Sequence, residues 1–149
     1  MKTNLSNLQD TKHFADFVAR KLMPGDVISL EGNLGAGKTT LLQFIASALG
    51  ISKQTTSPTF ILFRVLPLVK SKRGIKWLVH GDAYRVQRQE ELTEAGLNDY
   101  LQDPHTVTII EWGNNVPNIL PKRTKQILIK KDASDVRSAT YPDAWGMLS

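Results

Sequence analysis

Lys38 and Thr39 stand side by side at the end of Gly32-Asn33-Leu34-Gly35-Ala36-Gly37-Lys38-Thr39. That run fits G-x-x-x-x-G-K-[ST], the phosphate-binding loop of nucleoside triphosphatases. Such a loop wraps backbone N–H groups around phosphates, with the positive end of the following helix aimed at them. Its glycines permit the positive-φ turns and the close approach of backbone to ligand. Lys38 is then placed to neutralise β- and γ-phosphate charge, and the Thr39 hydroxyl to bind Mg²⁺. Gly32 to Thr39, with Thr40 just inside the helix, are therefore the candidate nucleotide contacts.

Phosphoryl transfer also needs hard oxygen ligands for Mg²⁺, an oriented nucleophile and cationic stabilisation of developing charge. Glu111 follows the β-branched run Val107-Thr108-Ile109-Ile110, so it sits at the end of an apolar strand. It is the candidate second Mg²⁺ ligand beside Thr39, a Glu where an Asp is commoner. Asp82 follows Trp77-Leu78-Val79-His80 and is the second candidate, as a water-positioning residue or an outer-shell metal partner. It reads also as a turn former in Gly81-Asp82. His80 lacks a ligand partner at metal-binding spacing and reads as a buried, hydrogen-bonded strand residue. Arg85 is either a charge stabiliser or an ion-pair partner, and Trp112 a platform near the nucleotide or a core residue.

These residues need a scaffold of alternating strands and helices. Asp26 to Leu30 reads as a buried strand before the loop, and Lys38 to Leu49 as a helix closed by Gly50. Upstream, Phe14, Phe17, Val18 and Leu22 form one stripe of a helix over Asp10 to Leu22, with Asp10 as its cap and His13 a structural residue. Phe60 to Leu68 and Ile75 to His80 bracket Val69 to Gly74, a hairpin with Lys70, Lys72 and Arg73 at its tip. That tip suits either a solvated end that blunts an edge or a contact with RNA phosphate or an acidic partner. A polar helix is expected over Gln87 to Ala95, broken at Gly96, with a further turn over Leu97 to Leu101. Val107 to Ile110 reads as a central parallel strand and Lys125 to Lys130 as a last strand. Asn114 to Pro121 is expected to be irregular, and Tyr141 to Ser149 to be a poorly ordered tail. The sum is one α/β domain over residues 1–149, a three-layer α/β/α P-loop fold. Its central sheet is mostly parallel, with antiparallel hairpin and edge strands.

Composition agrees with one globular domain. The 149 residues are 41% hydrophobic and 22% charged, ordinary values for such a domain. No apolar run nears the ~18 residues of a membrane span, and the N-terminus lacks a signal peptide's apolar segment. With no Cys, a disulfide framework or thiolate metal site is excluded, which agrees with a cytoplasmic setting. A net charge of +5 favours an acidic ligand or partner, for which ATP, RNA or an acidic protein surface would serve equally.

Several short signatures occur in order: Gly25-Asp26-Val27, Gly32 to Thr39, Ser57-Pro58-Thr59-Phe60, His80-x-Asp82-x-Tyr84-Arg85 and Ile110-Glu111-Trp112. Together they resemble the TsaE (formerly YjeE) family, the small bacterial ATPase of tRNA threonylcarbamoyladenosine formation, from about residue 8 to 130. The resemblance implies a domain that binds Mg-ATP and hydrolyses it slowly alone. It implies as partners the threonylcarbamoyltransferase (TsaD-like) and its paralogous companion (TsaB-like), which carry the transfer chemistry. Matching motifs assign phosphate binding to Lys38 and Mg²⁺ to Thr39 and Glu111. They assign a switch-like loop near the γ-phosphate to Ser57, Pro58, Thr59 and Phe60, and a catalytic or water-positioning role to Asp82. Three departures stand out: Asn33 for the commoner Asp, no Tyr after Phe60, and Gly81 for a bulky apolar residue. The rival readings are a small-metabolite kinase, which needs an acceptor site and an Arg-rich lid, and a nucleotide-dependent assembly switch without hydrolysis.

Overall fold

A computed structural model of the chain describes residues 1–52 and 62–149. The candidate switch segment Ser57 to Phe60 lies outside the described residues. Among the described residues, seven strands form one sheet in the order β1-β7-β6-β2-β5-β4-β3. The strands are β1 Lys2–Leu5, β2 Val27–Glu31, β3 Phe63–Lys72, β4 Ile75–Asp82, β5 Thr106–Glu111, β6 Lys125–Lys131 and β7 Arg137–Thr140. β6, β2, β5 and β4 run parallel at the centre. β3 pairs antiparallel with β4 on one side; on the other, β7 pairs antiparallel with β6 and β1 antiparallel with β7. The helices are α1 Leu8–Lys21, α2 Lys38–Ala48, α3 Glu90–Glu94 and α4 Leu97–Leu101.

β2 and β5 are buried along their whole length, because helices or turns cover both faces of a central parallel strand. On one face Ile28, Leu30, Val107 and Ile109 pack with Phe14, Phe17, Leu41 and Ile45 of α1 and α2. On the other, Val27, Val79 and Ile110 pack with Leu92, Leu97 and Leu101 of the short helices α3 and α4 and with Val116. The expected three layers are present, the second helical layer being thin. Gly96, at φ 92, separates α3 from α4.

Tertiary packing moves several boundaries. α1 starts at Leu8, not Asp10: the Asn7 side chain accepts from Asp10 N at 2.9 Å, and Asp10 in turn accepts from Ser6 N at 2.9 Å. Asn7 is thus the cap, and the Asp10 side chain reaches back to the chain just before it, at Ser6. The polar helix expected over Gln87 to Ala95 shortens to α3, with Glu90 and Glu91 in its first turn.

The C-terminal segment differs most from expectation. Residues 137–140 form β7 between β6 and β1. Tyr141 and Trp145 are buried and pack on Phe14 and Phe17 of α1. The segment expected as a poorly ordered tail therefore closes the core over α1. Two aromatic residues alone make no periodic pattern, yet each buries a large apolar area.

The hairpin turn is tighter than Val69 to Gly74. Arg73 and Gly74, at φ 51 and 86, link Lys72 to Ile75, the geometry of a two-residue hairpin loop. Its cations are engaged: Lys72 Nζ donates to Ala48 O at 2.7 Å, and Arg73 donates to Ala19 O and Leu22 O at 2.7 and 3.1 Å. Both sit at the C-terminal ends of α2 and α1, where unpaired carbonyls favour cations. Lys70 is exposed.

Candidate functional site

The loop between β2 and α2 takes the backbone form that its glycines allow. Gly32, Gly35 and Gly37 have φ of 148, 76 and 105. A Cβ on Gly32 would lie 2.5 Å from Ile129 O, so no side chain fits there. Gly37 is the N-terminal flank of α2 and brings no side-chain cap, which leaves the first N–H groups of the helix available to an anion. Leu34 is 68% exposed at the loop's crest, while Ala36 anchors the loop in the core.

Lys38 is buried. Its Nζ donates to Gly32 O at 2.5 Å and Asn33 O at 3.0 Å and lies 4.3 Å from the centre of the Trp112 ring. Burial lowers the Lys38 pKa from 10.5, opposed by the charges of Glu111, Asp82 and Glu31. Trp112 follows β5 at φ 60, a left-handed conformation costly for a bulky residue. Its ring lies 5.0 Å from that of Tyr84, so an aromatic pair flanks the lysine. Trp112 is half-buried: it lines the cleft and also packs on the core around Val79 and Ile110.

Parallel register brings the carboxylates together. Asp82 on β4 lies opposite Glu111 on β5. Glu111 is buried and accepts from the Thr39 hydroxyl at 3.1 Å, so the two candidate metal ligands meet across the β5–α2 gap. The other Glu111 oxygen accepts from His80 Nε2 at 2.7 Å. His80 is thus the buried, hydrogen-bonded strand residue expected of it. Asp82 Oδ1 accepts from Tyr84 N at 2.9 Å, so Asp82 shapes its turn while lining the same cleft. Arg85 is exposed and lies outside that lining.

The cleft is about 340 Å³ and is lined by the loop, Thr39, Asp82, Glu111 and Trp112, among others. One lining residue is absent from the sequence reading. Arg137 of β7 donates to Ala36 O at 3.0 Å and Gly35 O at 3.4 Å. A second cavity, about 260 Å³, lies on the far side of Gly37 and Thr40, where Leu5, Asn7, Leu8 and Thr11 complete its wall with Arg137. No local motif marks these residues, because β1, the start of α1 and β7 meet the loop only in the folded sheet.

Glu31 was also missed. It is buried, receives a hydrogen bond from Ser29 Oγ and accepts from Asn114 N at 2.9 Å. It thereby ties the turn after Glu111 to the strand that precedes the phosphate loop. Gly81, the departure noted above, faces Ile110: an added Cβ would lie 3.3 Å from Ile110 Cγ1 and 3.7 Å from Phe63 Cβ. Those neighbours fill the space that a bulkier residue would need.

Among the described residues, no cluster of three or more His, Cys, Asp or Glu could hold a metal ion. Thr39 and Glu111 instead offer two hard oxygen groups, a donor set suited to a cation that arrives with phosphate ligands and waters of its own. Among the described residues, no helix is long and apolar enough to cross a membrane.

Comparison with known proteins agrees with this geometry. The family model described as "Threonylcarbamoyl adenosine biosynthesis protein TsaE" matches residues 5–139. The chain is 36% identical over 141 residues to the tRNA threonylcarbamoyladenosine biosynthesis protein TsaE of Bacillus subtilis (strain 168), covering 95% of this chain and 84% of that one. It is also 36% identical over 132 residues to the TsaE of Treponema pallidum (strain Nichols), covering 89% of this chain and 93% of the other. Its fold matches the crystal structure of Bacillus subtilis YdiB with a TM-score of 0.72 and 31% identity, covering 99% and 90% of the two chains. With a glycine loop, a Thr–Glu pair and a sheet arranged in this way, the chain belongs to the TsaE family.

Proposed function

We propose that this chain is a cytoplasmic Mg-ATPase that supports tRNA threonylcarbamoyladenosine modification, working with a threonylcarbamoyltransferase and its paralogous companion. The observation that carries the reading is the Thr39 hydroxyl 3.1 Å from the Glu111 carboxylate, directly behind a loop whose glycines hold positive φ. A hydroxyl and a carboxylate at a helix N-terminus suit Mg²⁺ and a polyphosphate together. The names of the relatives, tRNA threonylcarbamoyladenosine biosynthesis proteins, supply the process.

Loop N–H groups from Gly35 to Thr40 bind phosphate oxygens, and Lys38 exchanges its loop carbonyls for phosphate. Thr39 and Glu111 would hold Mg²⁺, which when bound would supply neutralisation of phosphate charge. Asp82, opposite Glu111 in register, orients the attacking water and accepts its proton. The cavity walled by Leu5, Leu8, Asn7 and Thr11 adjoins the loop and takes the base, with apolar faces for stacking and polar groups for its edge. Hydrolysis by the isolated chain is slow because Arg137, the cation lining the cleft beside Lys38, is held by loop carbonyls. The remaining cationic stabilisation then comes from a partner.

The test is tRNA modification reconstituted from the purified partners with wild-type or Lys38→Ala protein, alongside calorimetry with ATP. Loss of the charged hydrogen bonds should weaken ATP binding by roughly 10- to 150-fold and stop repeated turnover. Undiminished affinity in the variant would overturn the nucleotide site. Multiple turnovers sustained by a non-hydrolysable analogue would overturn hydrolysis and leave an assembly switch.

A further inference from the structure

We infer that His80 is a positioning residue: its imidazole holds the Glu111 carboxylate in the orientation that receives Mg²⁺. The inference rests on the Mg-ATP reading of the site. His80 is 0% exposed, so neither substrate nor solvent reaches it, and its role must act through a neighbour. That neighbour is Glu111, whose Oε2 lies 2.7 Å from His80 Nε2, while Oε1 accepts from Thr39 Oγ1. A free Glu side chain keeps up to about 2 kcal/mol of rotamer entropy at room temperature. Tethering both oxygens removes that freedom before any ligand arrives.

The tether compensates for the longer side chain at this position. An Asp at the end of β5 would have one fewer torsion to hold; Glu111 extends further and needs an outer support. His80 supplies it from the adjacent strand. β4 and β5 run in parallel register, His80 beside Ile109 and Asp82 beside Glu111. Residues two apart share a face, so His80 and Asp82 both point toward α2, and the imidazole reaches one step along the strand to the carboxylate.

The hydrogen bond also assigns the tautomer. An ionised carboxylate only accepts, so Nε2 carries the proton. Nδ1 is buried and has no hydrogen-bond partner among the described residues. A proton there would be a buried donor left unsatisfied, more costly than an unused lone pair. Nε2 is thus the ring atom that donates to Glu111.

Three variants and one spectrum test this. In His80→Phe the ring volume stays but the donor is lost; the Mg²⁺-dependent gain in ATP affinity should fall by about 10- to 100-fold, as when other outer supports of metal ligands are removed. ATP binding in EDTA should stay within about threefold of wild type, since phosphate contacts with Lys38 and the loop are untouched. His80→Gln, whose amide can donate to Glu111, should recover most of the Mg²⁺ effect. In ¹⁵N-labelled wild-type protein, the His80 imidazole should show a slowly exchanging Nε2–H. Glu111→Ala should abolish that protected proton. Equal Mg²⁺ effects in wild type and His80→Phe, or an Nδ1–H tautomer in the wild type, would overturn the positioning role. The spectrum decides it even if His80→Phe does not fold. A wild type that binds ATP with no Mg²⁺ effect would instead count against the metal reading of Thr39 and Glu111.

Discussion

Gly113→Ala adds one methyl group at the point where the turn after Glu111 packs on β2. Built on the existing backbone, the new Cβ would lie 2.9 Å from Ser29 Cβ, closer still to Ser29 Oγ, and 3.1 Å from Leu120 Cδ1. Neighbours on two sides leave no direction for it to yield. Ser29 Oγ is itself bonded to Glu31, which accepts from Asn114 N, so displacing Ser29 loosens the tie that holds the turn. Overpacking costs about 1–3 kcal/mol, and a lost or weakened hydrogen bond adds about 1 kcal/mol. A total near 3 kcal/mol should lower the melting temperature by about 6–12 °C for a domain of this size. Urea unfolding followed by Trp fluorescence and circular dichroism measures the loss. Calorimetry with Mg-ATP should show weakened binding, because Trp112 and Glu111 shift with the turn. Ser29→Gly removes the atoms in the way, and in a double-mutant cycle with Gly113→Ala should return about 2 kcal/mol of coupling. A Gly113→Ala protein within about 0.5 kcal/mol of wild type, or simple additivity with Ser29→Gly, would refute the reasoning.

Trp145→Ala empties a site that is 6% exposed against Phe17 and Tyr141; a loss of about 3 kcal/mol in urea unfolding is expected, and a loss below about 1 kcal/mol would mean that the C-terminal segment is not core. Arg73→Ala removes the guanidinium bonds to the C-terminal carbonyls of α1 and should cost about 1–2 kcal/mol; an unchanged melting temperature would return this cation to a role outside the fold. Burial lowers the Lys38 pKa below 10.5, whereas bound phosphate favours the ammonium. ATP binding at alkaline pH should therefore take up a proton and weaken as pH rises through the lowered pKa, and calorimetry in buffers of different ionisation heat that found no uptake would remove Lys38 from the phosphate site.

Much of the site was legible because its parts are local. Gly32 to Thr39 is contiguous, and only glycines tolerate the φ values at 32, 35 and 37 without strain. Glu111 and Asp82 could be read because each closes an apolar strand, where parallel sheets place their chemistry. Length and pattern likewise separated the buried strand Val107 to Ile110 from the amphipathic stripe of Phe14, Phe17, Val18 and Leu22. The cap of α1 was misplaced to Asp10 because Asn7 and Asp10 both have the side chain for it; only the folded hydrogen bonds, Asp10 N to Asn7 and Ser6 N to Asp10, rank them.

The sequence by itself determined that a glycine loop of the phosphate-binding pattern is present, which residues belong to it, and that a strand precedes and a helix follows it, because bond torsions and local hydrogen bonds act over a few residues. Tertiary structure alone decided which distant groups meet that loop. Arg137 reaches the Gly35 and Ala36 carbonyls because β7 pairs with β6. His80 reaches Glu111 because β4 and β5 align in parallel with Asp82 opposite Glu111. Lys72 and Arg73, which read as a basic tip open to a partner, are drawn to helix carbonyls that the hairpin meets only when folded. Tyr141 and Trp145 join the core by burying aromatic area on α1, an energy proportional to contact between segments far apart in the chain. Strand register and burial belong to the assembled sheet, so their consequences are absent from any short stretch of residues.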